Sequence, residues 1–94
     1  MVWQKRVHIY SASGIVNRIR ESDLLQKIQS SLGSDVQKVH TEARNIFNLT
    51  VLISFREKKD ADCLDKTMLT EIITELLEDE DVEIHIEAGG AGTL

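Results

Sequence analysis

The chain has 94 residues and a mass of 10.6 kDa, room for one small domain and not two. Its 11 Lys and Arg against 16 Asp and Glu give a formal net charge of −5, and 41% hydrophobic with 29% charged residues is an ordinary globular balance that excludes wholesale disorder. No apolar run reaches the ~18 residues of a membrane span, the opening residues 1–6 lack the apolar stretch of a secretory signal, and a lone cysteine, Cys63, excludes an internal disulfide framework and a zinc site built on cysteine pairs, so a cytoplasmic setting is expected.

Residues 5–11 alternate, with Val7 and Ile9 on one side and Arg6, His8 and Tyr10 on the other, the period of two that predicts a half-buried strand. Residues 11–14 carry turn chemistry, and residues 15–20 fit a hairpin return strand, a loop or an early helical turn. Ser22 or Asp23 offers a cap for a helix reaching about Leu32, with Leu25, Ile28 and Leu32 at helical spacing and Leu24 widening the stripe. Gly33 follows where a helix ends in left-handed backbone. Residues 36–41 predict a second strand and Arg44 with Asn45 a turn. Residues 47–55 predict a third strand, with Phe47, Leu49, Val51, Ile53 and Phe55 sharing one face. From Asp60 or Asp62 a second helix runs to about Glu78, on an apolar face of Met68, Leu69, Ile72, Ile73, Leu76 and Leu77. Val82, Ile84 and Ile86 then alternate with Glu83, His85 and Glu87 in a closing strand. Residues 1–88 read as a single α+β domain, and residues 89–94 as a flexible Gly-rich tail.

The order β-α-β-β-α-β resembles the ferredoxin-like architecture, an α+β sandwich with two helices on one face of a four-stranded antiparallel sheet. The resemblance is one of topology and implies no particular activity. It puts Val7, Ile9, Leu49, Val51, Ile53, Val82, Ile84 and Ile86 beneath the helices. It leaves Arg6, His8, Tyr10, Thr50, Leu52, Ser54, Glu83, His85 and Glu87 on the open side, with His8 near His85. Three uses of that side compete. His8, His85 and a carboxylate have zinc-type donor atoms but no close motif spacing. Base stacking needs several aromatics on the central strands, and Tyr10 stands nearly alone there because Phe47 and Phe55 share the core parity. A surface for a partner or a second copy needs only mixed polar and apolar groups.

Charge is the least random feature. Residues 1–56 carry a net +4 and residues 57–94 a net −9. Asp60, Asp62 and Asp65 suit the start of a helix, whereas Glu75, Glu78, Asp79, Glu80 and Asp81 crowd its negative end. That cluster reads either as a solvated loop or as a contact for a basic surface. Arg6, Arg18 and Arg20 are the matching basic candidates, and head-to-tail assembly follows from the asymmetry. Nucleic acid is disfavoured by the overall charge.

Catalytic signals are weak. The turn at residues 11–14 lacks the spacing of phosphate-binding loops. Cys63 is expected in the first turn of the second helix, surrounded by acidic residues, as a small buried or half-buried side chain. His8, His40 and His85 have no evident nucleophile partner. The sequence therefore reads as a non-enzymatic protein-interaction module, without cofactor or membrane. It is expected to self-associate and to act as a small adaptor, regulator or inhibitor of a larger protein. The alternative is a small-ligand or metal-binding domain, or an inter-subunit-pocket enzyme, using His8, Tyr10 and His85.

Overall fold

A computed structural model describes residues 3–14, 16–33, 36–78 and 81–87 of the chain. Four strands, β1 (Trp3–Ser11), β2 (Val36–Arg44), β3 (Asn48–Phe55) and β4 (Val82–Ile86), form one antiparallel sheet in the order β2-β3-β1-β4. The helices are α1 (Glu21–Leu32), α2 (Lys58–Cys63) and α3 (Lys66–Leu77), with a 3-10 turn at Val16–Arg18. The class is α+β. None of the described helices is long and apolar enough to cross a membrane. The glycine-rich tail lies outside the described residues.

Strand alternation divides the sheet into two faces. Val7, Ile9, Leu49, Val51, Ile53, Phe55 and Ile84 point to the helix side and are almost fully buried, packed with Leu24 and Ile28 of α1 and Leu69, Ile72 and Ile73 of α3. Val82 and Ile86 pack against that core from β4, half-buried. Val16 and Ile19, on either side of Arg18, are buried as well. They pin residues 16–18 as a helical turn, so of the three options for this stretch the strand is excluded.

Several boundaries differ from the sequence reading, each for a local reason. Arg20, extended at φ −98°, precedes α1 and makes no side-chain cap, while Ser22 and Asp23 lie inside the first turn. Phe47, expected among the inward-facing residues, is 46% exposed. Asn45 turns the chain there, its Oδ1 accepting from the amides of Phe47 at 3.0 Å and Asn48 at 2.8 Å, and the strand starts one residue later. The single long helix is two. Leu64 is buried but extended, and Lys5 Nζ donates to its carbonyl at 3.1 Å. Asp65 then caps α3, its Oδ1 accepting from the Met68 amide at 2.8 Å. Cys63 consequently ends α2 rather than opening a helix, and it is exposed rather than buried.

The Asp65 cap makes a sharp prediction. Asp65→Ala lowers stability to urea by about 1 kcal/mol. Asp62→Ala, at an exposed position inside α2, changes it by less than about 0.5 kcal/mol.

Candidate functional site

The side of the sheet away from the core is ordered by strand register into cross-strand rows. His40, Leu52 and Arg6 stand side by side, and the Glu87 amide joins the row by donating to the Arg6 carbonyl at 3.0 Å. Thr50, His8 and His85 make the next row, and Asn48, Tyr10 and Glu83 the third. His8, Tyr10 and His85, singled out in the sequence, are thus brought together.

Arg6 is the electrostatic centre. Its Nε and Nη2 grip the two carboxylate oxygens of Glu42, and its Nη1 donates to Glu87 Oε2 at 3.0 Å. The paired, fork-like geometry is the strong form of this contact. The hydrogen bond from Arg6 holds the Glu42 carboxyl below the usual carboxylate range, and the same cause lowers Glu87. In return the two carboxylates, Glu42 first, make the guanidinium hold its charge more firmly. Glu42 sits at the second irregularity of β2, between Thr41 and Ala43, which is why simple alternation does not place it in the site. His8 continues the network. Its Nδ1 lies 3.1 Å from Thr50 Oγ1, its Nε2 is 3.6 Å from Glu87 Oε1, and its ring stacks on His85 at 5.9 Å between centroids.

Beside these rings lies an open groove of about 590 Å³, lined by His8, Tyr10, Glu83 and His85 from the sheet and by Lys66 and Thr70 from α3. Neither α3 residue carries a signal in the sequence that points to a site. The groove offers imidazole, phenol, ammonium and carboxylate groups to a ligand. For a metal it is poorly built. Among the described residues no group of three or more His, Cys, Asp and Glu side chains is placed to hold one. Glu87, the carboxylate nearest His8, is already held by Arg6. The Thr50 hydroxyl beside His8 has the first feature of a nucleophilic pair. Thr50 belongs to β3, which pairs with β1 on one side and β2 on the other.

The charged candidates are dispersed. Arg6 is enclosed in its own network, and Glu75 accepts from Lys27 Nζ at 2.6 Å, tying α3 to α1. Glu78 is exposed in left-handed backbone after α3 at φ 53°, and Asp81 is exposed before β4. Arg18 and Arg20 are exposed and make no ion pair among the described residues. Asp79 and Glu80 lie outside the described residues.

The Arg6 network fixes the sign of an acid response. Both lowered carboxyls contribute stability that is fully present above their ordinary value of 4.5 and is lost as pH falls through the lower folded-state values. The contribution is small because the network is open to water. Carboxyl titration by NMR is expected to place Glu42 and Glu87 below the usual range in the unmodified chain, and Arg6→Ala to return both to it. Compared with known proteins, the chain matches no family model, no curated protein and no solved structure.

Proposed function

We propose that this chain is a non-enzymatic, self-associating protein-interaction module on a ferredoxin-like scaffold, serving as a small adaptor, regulator or inhibitor of a larger protein. The strand order supports the scaffold. Taken from the other edge it is β4-β1-β3-β2, with α1 joining β1 to β2 and the α2–α3 pair joining β3 to β4. The broken second helix and the 3-10 turn are additions to that plan.

One observation carries the functional reading: the described residues leave the sheet face opposite the core uncovered, and its arginine is held between two carboxylates. Arg6 lies between Glu42 and Glu87, so the cation of this cluster is already paired before any partner arrives. At one end of the face Tyr10, Ile46 and Phe47 are 41%, 60% and 46% exposed. The Ser11 amide donates to the Phe47 carbonyl at 2.9 Å, which holds the turn against the end of β1. Exposed apolar clusters rimmed by polar groups are typical of contact surfaces. The exposed Cys63 suits a reducing compartment. Sedimentation equilibrium over a wide dilution series tests the reading. The mass rises with concentration above the 10.6 kDa of one chain, and a monomer at every concentration and salt overturns self-association.

A second reading, a small-ligand site, is favoured by the meeting of His8, Tyr10 and His85 at one groove of a size common for ligand pockets. Native mass spectrometry of the purified protein then shows a bound adduct that His8→Ala removes. A bare chain mass in the unmodified protein eliminates this reading.

A further inference from the structure

The sheet has two edges, and the chain treats them differently. At β2 the register slips twice, between Val36 and Lys38 and between Thr41 and Ala43. α1 also reaches over this edge. Glu21 Oε2 accepts the Thr41 amide at 2.7 Å, and Gln29 Nε2 donates to the Val36 carbonyl at 3.1 Å. Bulges and occupied backbone groups are the devices that keep a further strand from adding. β4 has neither. It pairs with β1 in unbroken register from Ser11↔Val82 to Val7↔Ile86.

The hydrogen bond from the Glu87 amide to the Arg6 carbonyl sets the phase of that pairing. Residues 83, 85 and 87 turn their backbone groups to β1, and Val82, Ile84 and Ile86 turn theirs outward. Among the described residues nothing bonds those outward groups. The groove described above borders this same strand, with Val82 and Ile84 in its lining.

The side chains of β4 identify what adds there. A second copy of β4, running antiparallel about a two-fold axis, keeps the hydrogen-bonding phase when the axis passes through residue 83, 84 or 85. An axis at Glu83 sets that carboxylate against itself. An axis at His85 sets Glu83 against Glu87 of the other copy. An axis at Ile84 sets Glu83 opposite His85 twice over, carboxylate against imidazole donor. It also places Val82 opposite Ile86 on the core side. Its outermost pair, Asp81 with Glu87, is like-charged but lies beyond the ends of the strand, so this is the axis at which no carboxylate within Val82–Ile86 faces another. Directly opposed cross-strand pairs are the unit that fixes register.

Resting on the self-association reading above, we propose that two copies join β4 to β4 about a two-fold axis at Ile84. The two sheets become one eight-stranded sheet, and Glu83 of each copy stands against His85 of the other beside the groove that borders β4. The uncovered face is thereby doubled and made continuous.

Charge exchange in the full chain tests the register. Glu83→Lys alone and His85→Glu alone each raise the dimer dissociation constant at least about tenfold, because each change acts at two symmetric places. The double variant sets lysine against glutamate across the axis and returns the constant to near that of the unmodified chain. All of these residues are exposed, and circular dichroism verifies that each variant is folded. As a second measurement, a mixture of Glu83→Cys and His85→Cys chains, both carrying Cys63→Ser, forms a covalent dimer on mild oxidation, while Glu83→Cys chains alone do not. Association unaffected by the single changes, or not recovered in the double variant, overturns the β4 contact and leaves self-association standing. An unmodified chain that is monomeric throughout overturns both and leaves the edge to a strand of another protein.

Discussion

The rest of the structure depends on the double pairing of β1. This strand hydrogen-bonds to β3 on one side and β4 on the other, and its side chains divide strictly between two environments. Val7 and Ile9 are buried to 0% and 1% exposure, while Arg6, His8 and Tyr10 face outward. A slip of one residue would put an arginine and a histidine into the aliphatic core and Val7 and Ile9 into water. Burial therefore enforces the register. The register in turn sets His8 beside His85 and Arg6 beside Glu87, so the composition of the open face is a consequence of core packing.

The same pairing changes the meaning of the charge distribution. Along the chain, positive charge gathers in residues 1–56 and negative charge in residues 57–94. In space, β4 from the acidic part is laced against β1 from the basic part, and α3 against α1. Two of the contacts between parts are Arg6 with Glu87 and Lys27 with Glu75. A polarity that looks external in one dimension is thus partly spent inside the fold. Head-to-tail electrostatics loses two of its named groups in this way, and shape and backbone gain weight as the basis of association.

What was legible in the sequence follows from which physical rule governed each part. The period of two in β1, β3 and β4 survived into the structure because each is buried on one side only, and the inward residues Val7, Ile9, Leu49, Val51, Ile53 and Ile84 stand as the alternation predicts. The break in the second helix was not legible. Ala61, Leu64, Met68 and Ile72 continue one helical stripe across it, and only the Asp65 side chain, bonding back to Met68, marks the new start. Glu42 was hidden for a related reason, since an irregularity in β2 shifts the alternation that would have assigned its side. Phe47 departs from the strand pattern that its apolarity fits because Asn45 Oδ1 holds the residue in the turn. In each case a single local hydrogen bond or an extra residue overrode a periodic pattern.

The treatment of the two edges is of a different kind from these details. At β2, two carboxylate or amide side chains of α1 and two register breaks are devoted to satisfying or distorting the outer backbone. Such features have a use only if an open strand edge is a hazard for this chain, since an unpaired edge recruits other strands. At β4 no such device stands among the described residues, on a five-residue strand whose side chains on the open face are Glu83 and His85. A chain of this size has a thin margin of stability and gains from burying further surface in an assembly. An edge blocked on one side and left open on the other also limits that assembly. Pairing through β4 about a two-fold axis uses up both open edges and presents only the two guarded β2 strands, so growth stops at two copies instead of continuing into a filament.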